Sequence, residues 1–390
     1  MKICACIAEY NPFHLGHLKH IDYMKTTLNA EKIVVIMSGN FTQRGEPALL
    51  DKFTRARHAV LSGADAVIEL PTVFATANAE LFAKGAIHVL SGLNVSGGLC
   101  FGVESGDKNA YLNLANAMND ESKEFKKALK EHLQSGVSLA KAKFETVKAL
   151  GDERFDEDLI SSPNNVLGLE YTKAILNAKC DLEIFPMLRD GDHNDKTLKK
   201  GITSATSIRE AVKSGTIKKT KKSMPPYVYL DLDGYPTAFD KMIMSSIITT
   251  SAEDISKICD CTEGLENRIK ALVKDNRTVE ELVEKVSTKR YPQTRIRRIL
   301  TSTLLGIKKD FIDDCLSSPL YAKVLAVNSN SKDIIAELAE KSSIPVLTRK
   351  SDCSNLKKTA EKCFNIDVLA SDLYSLATGK KMNEHQMIIV

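Results

Sequence analysis

"KICACIAEYNPFHLGHLKHIDYMKTT", residues 2–27, changes its hydrophobic period half-way along. Its first nine residues form a short apolar run of buried-strand length. From His14 onward the apolar positions recur every three or four residues, as on one face of a helix. Pro12 lies in the turn between them and Gly16 in the first turn of the helical pattern, both residues that punctuate a regular element. A strand feeding through a short loop into a helix is the first half of a βαβ unit.

The same alternation recurs. "EKIVVIMSG" (31–39), "ADAVIELP" (64–71), "GLCFGVE" (98–104) and "LEIFPML" (182–188) read as further buried strands. "DKFTRARHAVLSG" (51–63), "AELFAKGAIHVLSGL" (79–93) and "NNVLGLEYTKAILNAK" (164–179) read as helices between them. The expected fold class is therefore α/β, a doubly wound parallel sheet of Rossmann-like type. Residues of about 107–160 break the pattern with polar, helix-prone sequence and are expected to be a helical insertion. "SGTIKKTKKSMPPY" (214–227) joins a lysine run to Pro225 and Pro226, which stiffen a connection, and marks the expected domain boundary. Beyond it, helical patterns run to about residue 316. "YAKVLAVN" (321–328) and "IPVLTRK" (344–350) then flank a further helical stretch, so a domain over 225–390 should be mostly helical with a small α/β tail.

The 390 residues allow two or three domains, and 43% hydrophobic with 27% charged residues excludes a disordered or fibrous chain. A net charge of +4 is too small to demand a nucleic-acid partner, so only local clustering can argue for one. Nine scattered cysteines without a CxxC pair disfavour a disulfide framework and a zinc knuckle, and fit a reducing cytoplasm. The N-terminal run lacks the form of a signal peptide, and no window nears the ~18 uninterrupted apolar residues of a membrane span.

Ligands of parallel α/β sheets bind beyond the carboxyl ends of the strands, where loops enter helices. "EYNPFHLGHLKH" (9–20) lies at such a place. Unpaired N–H groups at the helix start favour phosphate, Gly16 opens the approach, and His14 and His17 stand one turn apart. The competing readings are a packed His17 with a solvated His14, or a zinc pair, which lacks an acidic third ligand. "GITSATSIRE" (201–210) is a second anion-site candidate. It is a Ser/Thr-rich turn into a helix near Thr206 with Arg209 on the first turn, although a simple capped helix would read the same way.

Together these two segments resemble the HIGH-type nucleotidyltransferases, in which such elements grip ATP. Ile202, Ser204, Thr206 and Arg209 match the second signature, with Ala205 in place of a more usual hydroxyl. Adding "SGNFTQRGEPALLDKFTRARHAVLSGADAVIELP" (38–71), "FGVES" (101–105), "SPNNVLGLEY" (162–171) and "PQTRIRRIL" (292–300) narrows the resemblance to bacterial tRNA(Met) cytidine acetate ligases. The resemblance implies a nucleotidyltransferase-like ATP-binding catalytic domain over 1–215 and a C-terminal RNA-binding domain. It also implies activation of acetate with ATP and acetyl transfer to N4 of the wobble cytidine of elongator tRNA(Met).

Carried over residue by residue, ATP binding falls to Ile7, Ala8, Glu9, Tyr10, Asn11, Pro12, Phe13, His14, Leu15, Gly16, His17, Leu18, Lys19 and His20, with Gly102, Asn164, Arg189, Ser204 and Thr206. His14, His17 and Arg209 are the expected catalytic groups. The chain reads "RDGDHND" (189–195) where many family members have a "GAGYHD" stretch after the arginine, and His193 stands where the family histidine would be. Gln43, Arg44 and Lys52 are candidates for phosphate, acetate or RNA, and Asp51 for a helix cap. Cys4 and Cys6 are expected in the core. A Mg²⁺ ion bridging the phosphates is compatible with this chemistry, but no metal-ligand set stands out.

Charge clusters locally. Lys196 to Lys222 holds nine Lys/Arg against Glu210 alone, and Ser287 to Lys309 holds seven with no acid. Lys218, Lys219, Lys221, Lys222, Arg290, Arg295, Arg297 and Arg298 are the expected RNA contacts, with Tyr291 as a stacking platform. Reversing Arg297 and Arg298 to Glu should then weaken tRNA use and spare adenylate formation. A small-molecule adenylyl- or cytidylyltransferase is the main alternative, and the long basic extension counts against it. A catalytically silent RNA- or nucleotide-binding module is the other, opposed by intact His14, His17 and Arg209.

Overall fold

The structure, a computed structural model, describes residues 2–120, 122–134, 137, 139–150, 157–189 and 204–390. His193, Ile202 and the lysines at 196, 199 and 200 lie outside the described residues.

Strands β1 (Ile3–Ala8), β2 (Lys32–Ser38), β3 (Ala66–Leu70), β4 (Gly97–Val103) and β5 (Leu182–Leu188) pair in parallel in the order β5-β4-β1-β2-β3. The chain moves outward from β1 through β2 to β3, then crosses back to place β4 on the other side of β1. The crevice beyond the carboxyl ends of β1 and β4 is thus the topological switch point where α/β sheets bind ligands. Alternate side chains enter opposite cores: Ile3 and Ala5 one, Cys4 and Cys6 the other. Burial on both faces is why these strands read as continuous apolar runs. It also pushes the Cys4 and Cys6 thiols up to about 12, which suits core residues better than nucleophiles.

Helices α1 (Leu15–Thr26), α2 (Lys52–Leu61), α3 (Ala79–Gly92), α4 (Pro163–Ala178) and α5 (Ala205–Lys213) connect and cover the parallel strands. Three helices, Lys108–Met118, Lys123–Gln134 and Leu139–Ala149, occupy the expected insertion. The segment from 243 to 300 builds its own apolar cluster around Ile247, Leu282, Val283 and Ile299, and ends in α6 (Gln293–Leu305).

The tail differs from a separate α/β appendage. β6 (Ala322–Val327) pairs antiparallel with β3, while β7 (Val346–Leu347) and β8 (Ile388–Ile389) pair in parallel with β6. All eight strands form one sheet. The physical reason is an open edge: β3 is buried throughout and needs a partner for its outer backbone groups, which β6 supplies.

A buried ionic cluster locks this junction. Lys52 Nζ donates to Glu69 Oε1 at 2.7 Å and to Glu384 Oε1 at 2.6 Å, and Lys323 also binds Glu384. Ser371 on α7 (Lys358–Thr378) donates to Glu384 and accepts from the Asn40 amide. Lys52 is 1% exposed, so the sequence expectation that it meets phosphate, acetate or RNA is corrected: its charge serves two buried glutamates. Burial opposes that charge, but Glu384 and Glu69 outweigh it and hold the Lys52 ammonium above its ordinary range. Such a cluster is worth little against an apolar replacement, yet removing one member strands the others.

Candidate active site

The loop after β1 and the first turn of α1 are fixed by the two histidines themselves. His14 is the helix N-cap, and its Nδ1 accepts the Gly16 N–H at 3.0 Å. Reciprocally, His17 Nδ1 accepts the His14 N–H at 3.2 Å, a capping box built from imidazoles. The two rings stack with centroids 3.7 Å apart, and the edge of His17 meets Tyr10 at 4.8 Å. With both Nδ1 atoms accepting, the neutral tautomer of each ring carries its proton on Nε2. His14 is 2% exposed, so the reading in which it merely faces water does not hold.

Arg209 closes on this loop from α5. Its guanidinium donates to the Asn11 carbonyl at 2.7 Å and to Thr206 Oγ1 at 3.2 Å. Burial, with Arg44 nearby, lowers its proton affinity. Ser204 accepts the Ser207 N–H at 3.1 Å and so starts the helix rather than lining the cavity. The second signature segment is therefore both a capped helix and one jaw of the site.

These groups face a cavity of about 470 Å³ at the β1/β4 switch point, within the size range of small-molecule sites. Every residue from Ile7 to His20 lines it except Pro12, Phe13, Leu15 and Leu18. Phe13 instead packs in the core, its ring 4.8 Å from Tyr10. Gly102, Asn164 and Arg189 line the β4 side. A Cβ on Gly102 would sit 3.0 Å from Arg189 Cδ, so the glycine lets that arginine lie across the strand end. Asn164 donates to Glu104 at 2.6 Å. His20 meets Cys100 Sγ at 3.2 Å, and burial with the neighbouring Arg189 lowers its imidazole to about 4.

Sequence reasoning left two features unassigned. Arg55 is fully buried and rivets the strand ends: it donates to Leu50 O at 2.8 Å, Glu9 O at 2.6 Å and Ser38 O at 3.0 Å, and also to Gly39 O. An arginine amid the apolar face of "DKFTRARHAVLSG" was the available signal. The second is that Thr294 and Arg298, from α6, line the same cavity as Gln43 and Arg44 of the loop after β2. Gly45, at φ +72°, forms the contact: a Cβ there would lie 2.3 Å from Arg298 N, and its carbonyl accepts Thr301 Oγ1 at 2.8 Å.

The basic residues of 290–298 are mostly engaged within the chain. Arg290 binds Glu263, and Arg295 donates to Asp260 O at 2.8 and 2.6 Å. Arg297 binds Glu280 and lies 3.4 Å from Glu46. Tyr291 donates to Glu263 and carries the Arg295 guanidinium 5.0 Å over its ring, so that face is already stacked. The stretch contains no acid, but the fold brings acids to it from elsewhere. With Arg298 in the cavity, the expectation that reversing Arg297 and Arg298 spares adenylate formation no longer follows. Lys218, Lys219, Lys221 and Lys222 differ: all four are exposed on the short turn Ile217–Ser223, with Lys221 5.9 Å over Tyr229.

The HIGH nucleotidyl transferase family profile matches residues 1–387. Two relatives named tRNA(Met) cytidine acetate ligase come from Clostridium perfringens and Acetivibrio thermocellus. The first is 35% identical, covering 100% of this chain and 98% of its own, and the second 36%, covering 96% and 94%. The chain belongs to the tRNA(Met) cytidine acetate ligase family. Two solved structures of Thermotoga maritima TmcAL, one apo and one bound with alpha-thio ATP, match at TM-scores of 0.93 and 0.91, each at 27% identity and full coverage of both chains. The protein is accordingly an ATP-dependent ligase on a HIGH nucleotidyltransferase fold. No helix among the described residues is long and apolar enough to cross a membrane, and no group of three His, Cys, Asp or Glu residues there could hold a metal ion.

Proposed function

We propose that the ligase joins acetate to ATP as acetyl-adenylate, then transfers the acetyl group to N4 of cytidine 34 in elongator tRNA(Met), in the cytoplasm. The observation that carries this reading is one cavity with two walls. A phosphate-type clamp of His14, His17 and Arg209 faces residues contributed by the loop after β2 and by α6.

An acetate oxygen attacks the α-phosphorus, and the bond to the β-phosphate oxygen breaks, releasing pyrophosphate. The cytidine amine then attacks the acetyl carbonyl, AMP leaves, and the amine loses a proton. Negative charge gathers on pyrophosphate in the first step, where the Nε2–H groups of the stacked histidines and the Arg209 guanidinium stabilise it. Arg209 and the histidines are already held by Asn11, Thr206 and the helix start, so little reorganisation opposes the reaction.

Protein, ATP and labelled acetate, incubated with and without elongator tRNA(Met), test the reading. AMP formation dependent on acetate and acetylated tRNA are expected; the absence of both would sink it. His14→Ala or His17→Ala should slow adenylation by roughly 10²–10³ while tRNA retention on a filter stays within about threefold. Equal loss of tRNA retention would contradict the assignment.

A further inference from the structure

The cavity divides by strand of origin. The β1–α1 loop, β4, α4 and α5 make the half given above to ATP; the loop after β2 and α6 make the other half, for which no role has yet been derived. Asn11 of the β1–α1 loop and Arg298 of α6 both line the cavity, and among the described residues each holds a donor without a partner.

The Asn11 side chain is fixed by one end. Its Oδ1 accepts the Leu49 N–H at 2.7 Å, while Nδ2 has no hydrogen-bond partner among the described residues, and the residue is 2% exposed. Arg298 uses Nη2 alone, at 3.3 Å from Asp260 Oδ2; Nε is buried and makes no hydrogen bond among the described residues. Buried polar groups are nearly always satisfied, so two orphaned donors beside one cavity call for an acceptor that binds there. Both are donors and one is a cation, which selects an anion.

Size and access choose between anions. The Arg298 side chain is only 16% exposed, and the Gly45 contact and the Thr301 bond hold its backbone against the β2 loop. An RNA backbone on the outer surface meets little of so enclosed a side chain, whereas a carboxylate inside the cavity meets the guanidinium that lines it. A planar guanidinium also matches a carboxylate in shape and charge.

The geometry points to an acyl-donor subsite in which Arg298 and the Asn11 amide bind the acetate carboxylate, on the β2-loop side of the nucleotide. This rests on the ligase reading above. It gives α6 a residue inside the active site, so the helical unit contributes to the first chemical step.

The test is acetate-dependent exchange of pyrophosphate into ATP, with KM measured separately for acetate and ATP. Arg298→Gln should raise the acetate KM about ten- to a hundredfold, with the ATP KM and tRNA affinity within about threefold. Arg298→Lys, which keeps the charge, should recover part of the loss. Asn11→Asp, which keeps Oδ1 for Leu49 and sets a carboxylate against acetate, should raise the acetate KM as well, and it serves if Arg298→Gln no longer binds ATP. An acetate KM unchanged in these variants, or tRNA affinity lost with the acetate KM intact, overturns the subsite alone. A wild-type protein without acetate-dependent exchange overturns the ligase reading and the subsite together.

Discussion

Two basic segments, one with four lysines and one with four arginines, end up in opposite environments. Lys218 to Lys222 put four ammonium groups into solvent around a short turn, with no acid bonded to any of them among the described residues. Arg290 to Arg298 meet Glu46, Asp260, Glu263 and Glu280, or turn into the cavity. The chemistry of the side chains follows the split. Lysine keeps a strongly hydrated point charge on a long stem, suited to loose phosphate contacts. Arginine spends a rigid fork on defined acceptors and tolerates burial better. A run of positive charge therefore reports an RNA surface only if the fold leaves it unpaired.

The contrast can be broken in three places. The largest effect should come from Arg297→Glu, which would set a carboxylate against Glu46 and Glu280 in a nearly buried position. A loss of about 3–5 kcal/mol in urea unfolding is expected, and a stability unchanged within error would show that the pairing is idle. Next, replacing Lys218, Lys219, Lys221 and Lys222 together by Gln should weaken tRNA binding and reduce the slope of log affinity against log salt by up to roughly 3, with the ATP KM unmoved. An unaltered slope would place the RNA elsewhere. The smallest effect belongs to Arg290→Gln. Its pair with Glu263 is about half exposed on both sides, so stability should change by less than about 1 kcal/mol and tRNA affinity by less than about twofold. A large fall in tRNA affinity would return the 290–298 segment to the RNA surface.

The contrast also separates what was legible in the sequence from what was not. Local patterns carried the strands, the His14–His17 turn and the Ser204–Arg209 helix start, because a cap and a period involve residues within four of each other. Asp51 is such a case, its carboxylate accepting the Thr54 N–H at 2.9 Å. The partners of Lys52 lie at Glu69 and Glu384, and those of Arg297 at Glu46 and Glu280. No spacing rule connects such positions. The entry of Arg298 into the cavity is hidden for the same reason, since it depends on a glycine turn some 250 residues earlier meeting the α6 backbone. β6 was recognisable as a strand, but its antiparallel place beside β3 was not, because an edge is a property of the assembled sheet.

The ionic cluster at Lys52 has a consequence for the order in which this protein is made. Glu69 and Lys52 are synthesised early, whereas Lys323, Ser371 and Glu384 follow hundreds of residues later. Until those residues emerge from the ribosome, β3 lacks its antiparallel neighbour and Lys52 has only one of its two glutamates. The half of the cavity assigned to ATP draws on residues up to Arg209, whereas the other half also needs Thr294 and Arg298, some 90 residues further along the chain.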